Sequence, residues 1–103
     1  MDMNGKYEII EMELWDKKDI DLVQTGYIEI SGTKGDFHFI CVDGNMDIRN
    51  AGNNNFKFSW TGSDECDMVS GFGDFTFKDG MLAGRIYFHE GDDSSFIARK
   101  LKS

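Results

Sequence analysis

Phe56-Lys57-Phe58-Ser59-Trp60-Thr61 alternates bulky apolar and polar side chains without a break. Successive side chains of an extended strand point to opposite faces, so Phe56, Phe58 and Trp60 share one face and Lys57, Ser59 and Thr61 the other. The same period of two runs outward along the chain. Met46 and Ile48 oppose Asp47 and Arg49, and Phe75 and Phe77 oppose Asp74 and Thr76. Leu82, Gly84, Ile86 and Phe88 oppose Ala83, Arg85, Tyr87 and His89. Each run reads as a half-buried strand with one wet face. Phe37, Phe39 and Cys41 are expected to face inward, with His38 between them on the surface.

The chain has no proline, so Gly, Asn, Asp and Lys must make its turns. Lys34-Gly35, Asp43-Gly44, the Asn-rich stretch 50–55 and Asp79-Gly80 supply the positive-φ residues that tight hairpins require. This regular punctuation between aromatic runs predicts an antiparallel all-β domain. Strands are placed at 5–14, 27–31, 36–42, 45–50, 55–61, 70–77, 81–89 and 95–101. The expected architecture is one domain over residues 1–103, a small antiparallel up-and-down β-barrel of about eight strands. A β-sandwich or half-open barrel is the alternative. Gly71, Gly73 and Gly84 interrupt strand patterns and are read as corners where the sheet closes.

Two segments depart from simple alternation. In the first strand, Tyr7 and Ile9 share one parity and Ile10, Met12 and Leu14 the other. A β-bulge near Ile9-Ile10 would keep both sets inside and spare Glu11 and Glu13 burial. Residues 16–23 are read as a short helix with Asp16 as N-cap, its Ile20 and Val23 facing the barrel as a lid.

Charge is distributed unevenly over this topology. In an up-and-down barrel, the loops at 15–26, 43–45, 61–69 and 89–94 fall at one end. They hold Asp16, Asp19, Asp21, Asp43, Asp64, Glu65, Asp67, Glu90, Asp92 and Asp93 against Lys17 and Lys18. The excess of eight acids equals the formal net charge of −8 for the whole chain. That pole is the expected working surface, open and long-looped, with the tight turns at the opposite end. The charge argues against nucleic acid and anionic membranes, which attract basic patches, and favours cations or a basic protein partner. The N-terminal MDMNGKYEII has no signal-peptide pattern, and no stretch approaches a membrane span. Cys41 and Cys66 make no zinc-type spacing and are expected to be thiols in a cytoplasmic protein.

The candidate ligand-binding residues are Trp15, Asp64, Glu65, Asp67, His89, Asp92 and Asp93. Crowded carboxylates repel one another, and a hard divalent cation relieves that repulsion by oxygen coordination. Asp64, Asp67, Asp92 and Asp93 are the metal candidates, although no EF-hand spacing is present. The competing reading is a solvated acidic rim whose side chains bond to loop backbone. No cofactor is required by any motif. Trp15 ends the first strand at the acidic mouth, where it can line a pocket or simply pack. Trp60 has inward parity and is read as core.

Catalytic residues are not evident. Cys66 lies between Glu65 and Asp67, a setting that disfavours a thiolate. Ser70, Ser94 and Ser95 lack a convincing base, since the only histidines are His38 and His89. Gly71-Phe72-Gly73 does not open a helix and is no phosphate cradle.

Three segments together carry a family resemblance. They are Glu11-Met12-Glu13-Leu14-Trp15-Asp16, the run from Phe58 to Asp67 continuing to Ser70-Gly71-Phe72-Gly73, and His89-Glu90-Gly91-Asp92-Asp93-Ser94-Ser95-Phe96 with Ala98. They resemble a widespread family of small uncharacterised bacterial proteins, over nearly the whole chain. The resemblance implies no catalytic residues, but implies that the three segments belong together. A weaker likeness links the chain to calycin-type, lipocalin-like barrels. There Gly5-Lys6-Tyr7 stands in for the Gly-x-Trp start, with Arg99 or Lys100 as the basic partner of the aromatic ring.

The expectation is a non-catalytic binding domain, taking a small ligand or cation at the acidic open end, as a monomer or homodimer. The alternatives are an acidic interaction domain for a basic protein partner and an enzyme using rim carboxylates.

Overall fold

The computed structural model describes residues 2–101. Its elements are β1 (Gly5–Met12), α1 (Lys17–Ile20), β2 (Tyr27–Ser31), β3 (Lys34–Phe39), β4 (Val42–Gly52), β5 (Asn55–Asp64), β6 (Asp67–Lys78), β7 (Met81–Phe88) and β8 (Asp93–Lys100). The strands close into an eight-stranded antiparallel barrel in sequence order, with β1 returning to pair with β8. This is the expected up-and-down barrel, not a sandwich.

Alternation drives the closure. Phe58, Trp60, Met46, Ile48, Phe75, Leu82 and Ile86 are buried, and their polar neighbours in sequence face outward. Aromatic rings interlock along the axis: Trp60 meets Phe37 edge-on at 5.1 Å and Phe88 at 5.0 Å. The interior is full. An apolar void of about 10 Å³ remains among Ile9, Met12, Phe37, Phe58 and their neighbours, no more space than a single water needs.

The bulge in β1 is present. Pairing with β8 shifts register between Ile9 and Glu11, so Tyr7, Ile9 and Met12 are all buried while Glu11 stays exposed. The phase correction stops there, because β1 ends at Met12. Leu14 is therefore exposed rather than inside.

Three turns lie away from their sequence signals. The β2–β3 reversal is made by Gly32-Thr33, with Gly32 at φ 64°, while Lys34 and Gly35 already belong to β3. The β3–β4 reversal is made by Ile40-Cys41, not at Asp43-Gly44, and Cys41 is a turn residue instead of an inward strand residue. Ile40 takes φ 58°, unusual for a β-branched residue, and its N–H donates to the Ile20 carbonyl at 2.9 Å. Gly44 belongs inside β4 opposite Phe37, where a Cβ would lie 2.3 Å from the Phe37 ring. The glycine makes room for an aromatic side chain rather than for a bend. The supposed loop 61–69 is likewise strand down to Asp64↔Asp67, with a tight turn at Glu65-Cys66. The acidic end therefore has short hairpins at two of its four connections. Gly71 and Gly84 permit close approach of neighbouring strands, for a Cβ would sit 1.8 Å from the Tyr87 carbonyl oxygen and 1.9 Å from that of Asp74, respectively.

Candidate functional site

The connections after β1, β3, β5 and β7 lie at one end of this barrel, because successive strands reverse direction. Asp21, Asp64 and Asp92 thus share a pole. Several acids of that pole sit at strand ends: Asp43 in β4, Asp64 in β5, Asp67 in β6 and Asp93 in β8.

The longest connection, 13–26, folds down over the mouth. Its helix is shorter than expected, and Asp16 at the N-cap makes no side-chain capping bond. Ile20 is fully buried, and Trp15 packs on Phe39 with ring centroids 5.5 Å apart. Val23, expected to face the barrel, is 65 % exposed, because the helix ends at Ile20 and the chain turns away. Asp21 holds this segment in place. Its carboxylate accepts from the Gly26 N–H at 2.8 Å and from Lys17 Nζ at 2.6 Å. Burial opposes the Asp21 charge, but the Gly26 N–H and the Lys17 ammonium outweigh it and hold the carboxyl below its usual range. Lys17 also pairs with Glu8 at 2.9 Å, anchoring α1 to β1.

The predicted site residues fall into three groups. Asp64, Glu65 and Asp67 share the β5–β6 hairpin, with Glu65 at φ 57°. His89, Asp92 and Asp93 share the β7–β8 connection, where the Asp92 carbonyl accepts from the Phe88 N–H. The His89 N–H donates to the Ser70 carbonyl at 2.7 Å, which ties this connection to β6. Trp15 stands apart, half-buried as part of the plug over Phe39. No group of three or more His, Cys, Asp or Glu side chains is placed to hold a metal ion among the described residues. Asp93 is engaged by Arg85, which also donates to Glu13 at 2.9 Å. The hydrogen bonds to Asp93 and Glu13 strengthen the guanidinium's hold on its proton.

Sequence reasoning missed His38. Its parity is outward as expected, yet it is buried rather than on the surface. In register it lies between Tyr27 and Asp43, stacked near the Tyr27 ring and bonded to Asp43. The Tyr27 hydroxyl in turn donates to Asp36 at 3.1 Å. Aromatic cover from a neighbouring strand leaves no mark in a strand's own alternation.

The serines and cysteines are structural or unactivated. Ser94 is buried, accepting from the Leu14 N–H and donating to the Ser95 carbonyl. Cys41 and Cys66 are free thiols in adjoining turns, linked where the Glu65 N–H donates to the Cys41 carbonyl. Burial, reinforced by Glu65 and Asp64, pushes the Cys41 thiol above its ordinary range.

Exposed apolar side chains accompany the acids. Leu14, Leu22 and Val23 project from the long connection, and Met68, 93 % exposed, follows Asp67. No helix among the described residues is long and apolar enough to cross a membrane. The chain matches no protein-family model, and no curated protein or solved structure matches it.

Proposed function

We propose that this chain is a non-catalytic binding domain whose acidic pole engages a basic, partly apolar segment of a partner protein. The observation that carries this reading is the mixture at that pole. Leu22, Val23 and Met68 stand exposed among carboxylates that mostly lack cationic partners among the described residues. Exposed apolar side chains rimmed by charge are the composition of an interaction surface. The filled interior and the Trp15–Ile20 plug leave little room for a ligand inside the barrel, so binding falls to the outside of the pole. Opposite charge steers encounter, and apolar contact slows dissociation.

The test is titration with a synthetic amphipathic Lys/Leu peptide at low and high salt. Binding is expected to weaken steeply with ionic strength. Asp64→Asn/Asp67→Asn/Asp92→Asn should weaken it by about tenfold or more with the melting temperature unchanged. Asp93 is left intact because it supports Arg85. Equal affinity in the triple variant would remove the acidic pole as the docking surface.

A further inference from the structure

The outer wall of β4 to β7, between the two ends of the barrel, has a different chemistry. Outward positions of β4, β5, β6 and β7 form two lateral rows: Asp47, Ser59, Phe72 and Tyr87, then Arg49, Lys57, Asp74 and Arg85. Arg49 and Lys57 stand directly opposite each other, both exposed, and neither makes an ion pair among the described residues. Like charges placed across a strand pair repel, so this arrangement costs stability unless an anion lies between them. The nearest carboxylates do not relieve it. Asp47 is taken by Lys34 at 3.0 Å, and Asp74, opposite Lys57 in register, makes no ion pair with it.

Beside the two cations lies a flat aromatic surface. Phe72 is 57 % exposed and stacks on Tyr87 with ring centroids 4.6 Å apart and planes within 9°. Between Phe72 and the cations the small side chain of Ser59 leaves an open cleft of about 350 Å³, floored by Gly73. That volume falls in the range of small-molecule sites. The stack is already formed, so a ring laid on it requires no reorganisation.

We propose that the Arg49–Lys57–Phe72 cleft binds a small aromatic anion, its ring against Phe72 and its phosphate or carboxylate between the guanidinium and the ammonium. Arg49 offers a planar fork and Lys57 a point charge, a pair suited to either anion. Asp47 also lines the cleft, with its charge taken up by Lys34, and Asp74 lies opposite Lys57; the acids of the pole are farther away. Arg49 lies six residues along β4 from Asp43, roughly 20 Å at strand rise. That exceeds the ~8 Å screening length of physiological salt. The site is independent of the acidic pole, and its failure would leave that reading untouched.

Amide NMR titration of the whole chain tests it, with AMP and 2-naphthoate as probes of the two anion types. Either probe should shift the resonances of Lys57, Ser59 and Gly73. Adenosine, lacking the anion, and inorganic phosphate, lacking the ring, should each bind about tenfold more weakly than AMP. Arg49→Gln/Lys57→Gln should weaken the active probe by about tenfold, and Phe72→Ser should do the same while Phe72→Tyr retains binding. These are surface positions, and a cooperative melt at or above the temperature of the parent certifies the fold. Absence of shifts at the cleft with millimolar amounts of both probes would overturn the proposal. So would equal binding in the double-Gln variant.

Discussion

His38 Nδ1 lies 2.7 Å from Asp43 Oδ1, while Nε2 of the same buried ring has no hydrogen-bond partner among the described residues. A carboxylate only accepts, so Nδ1 carries the proton and Asp43 fixes the tautomer. Removing Asp43 strands both ring nitrogens. Asp43→Ala should cost about 1–3 kcal/mol, whereas His38→Phe, which removes both polar atoms and keeps an aromatic ring against Tyr27, should stay within ~1 kcal/mol of the parent. Urea unfolding ranks the two. A larger loss in His38→Phe would show that packing, not the polar pair, decides the site.

Phe37 and Gly44 form a second matched pair. A methyl group at Gly44 collides with the ring, so Gly44→Ala should destabilise by about 1–3 kcal/mol. Phe37→Leu in the same chain should recover part of that loss. A double-mutant cycle measures the coupling, and strict additivity would place the strain elsewhere.

Alkali should unfold the barrel through two phenols. Burial, with Asp2 nearby, raises Tyr7 to about 12. Burial, followed by the hydrogen bond to Asp36 and the charges of Asp36, Asp43 and Glu29, raises Tyr27 to about 12. The folded state therefore holds these protons more tightly than the unfolded state, whose tyrosines ionise near 10. Their contribution is fully present below pH 10 and is lost between pH 10 and 12. Ultraviolet titration should show both phenols ionising together with loss of structure. Tyr7→Phe should shift the alkaline midpoint upward. Ionisation of both near 10 in a folded barrel would contradict the burial argument.

The two thiols should react at different rates. Cys66 is exposed, whereas Cys41 is partly covered and its thiol is held protonated by burial, Glu65 and Asp64. Ellman's reagent at neutral pH should give two phases. Cys66→Ser should remove the fast one, and raising the pH should accelerate the slow one. A single phase in the parent protein would equate the two environments.

Sequence alternation located every strand because a barrel wall has one dry and one wet side, and side chains such as Phe58/Ser59 and Ile86/Tyr87 record that division directly. The β1 bulge was legible for the same reason, as a change of phase. Turns were less legible. Asp43-Gly44 carries a hairpin signal, yet its glycine answers to Phe37 across the strand pair. Ile40, which does turn, carries no local signal and is held by a contact from Ile20. Of the candidate site, the gathering of acids at one pole followed from topology alone. The engagement of Asp93 by Arg85, the shielding of His38 and the exposure of Val23 depend on neighbours distant in sequence.

The β1–β8 pairing has a kinetic consequence. Each of the other pairings joins strands consecutive in the chain, whereas this one brings Tyr7 beside Lys100. A ribbon of hairpins can assemble step by step, but its ends meet only after the whole ribbon has curled. The seam is thus the natural last event of folding. In transient opening it would bare two unpaired edges, the form of this molecule most exposed to strand exchange with another copy.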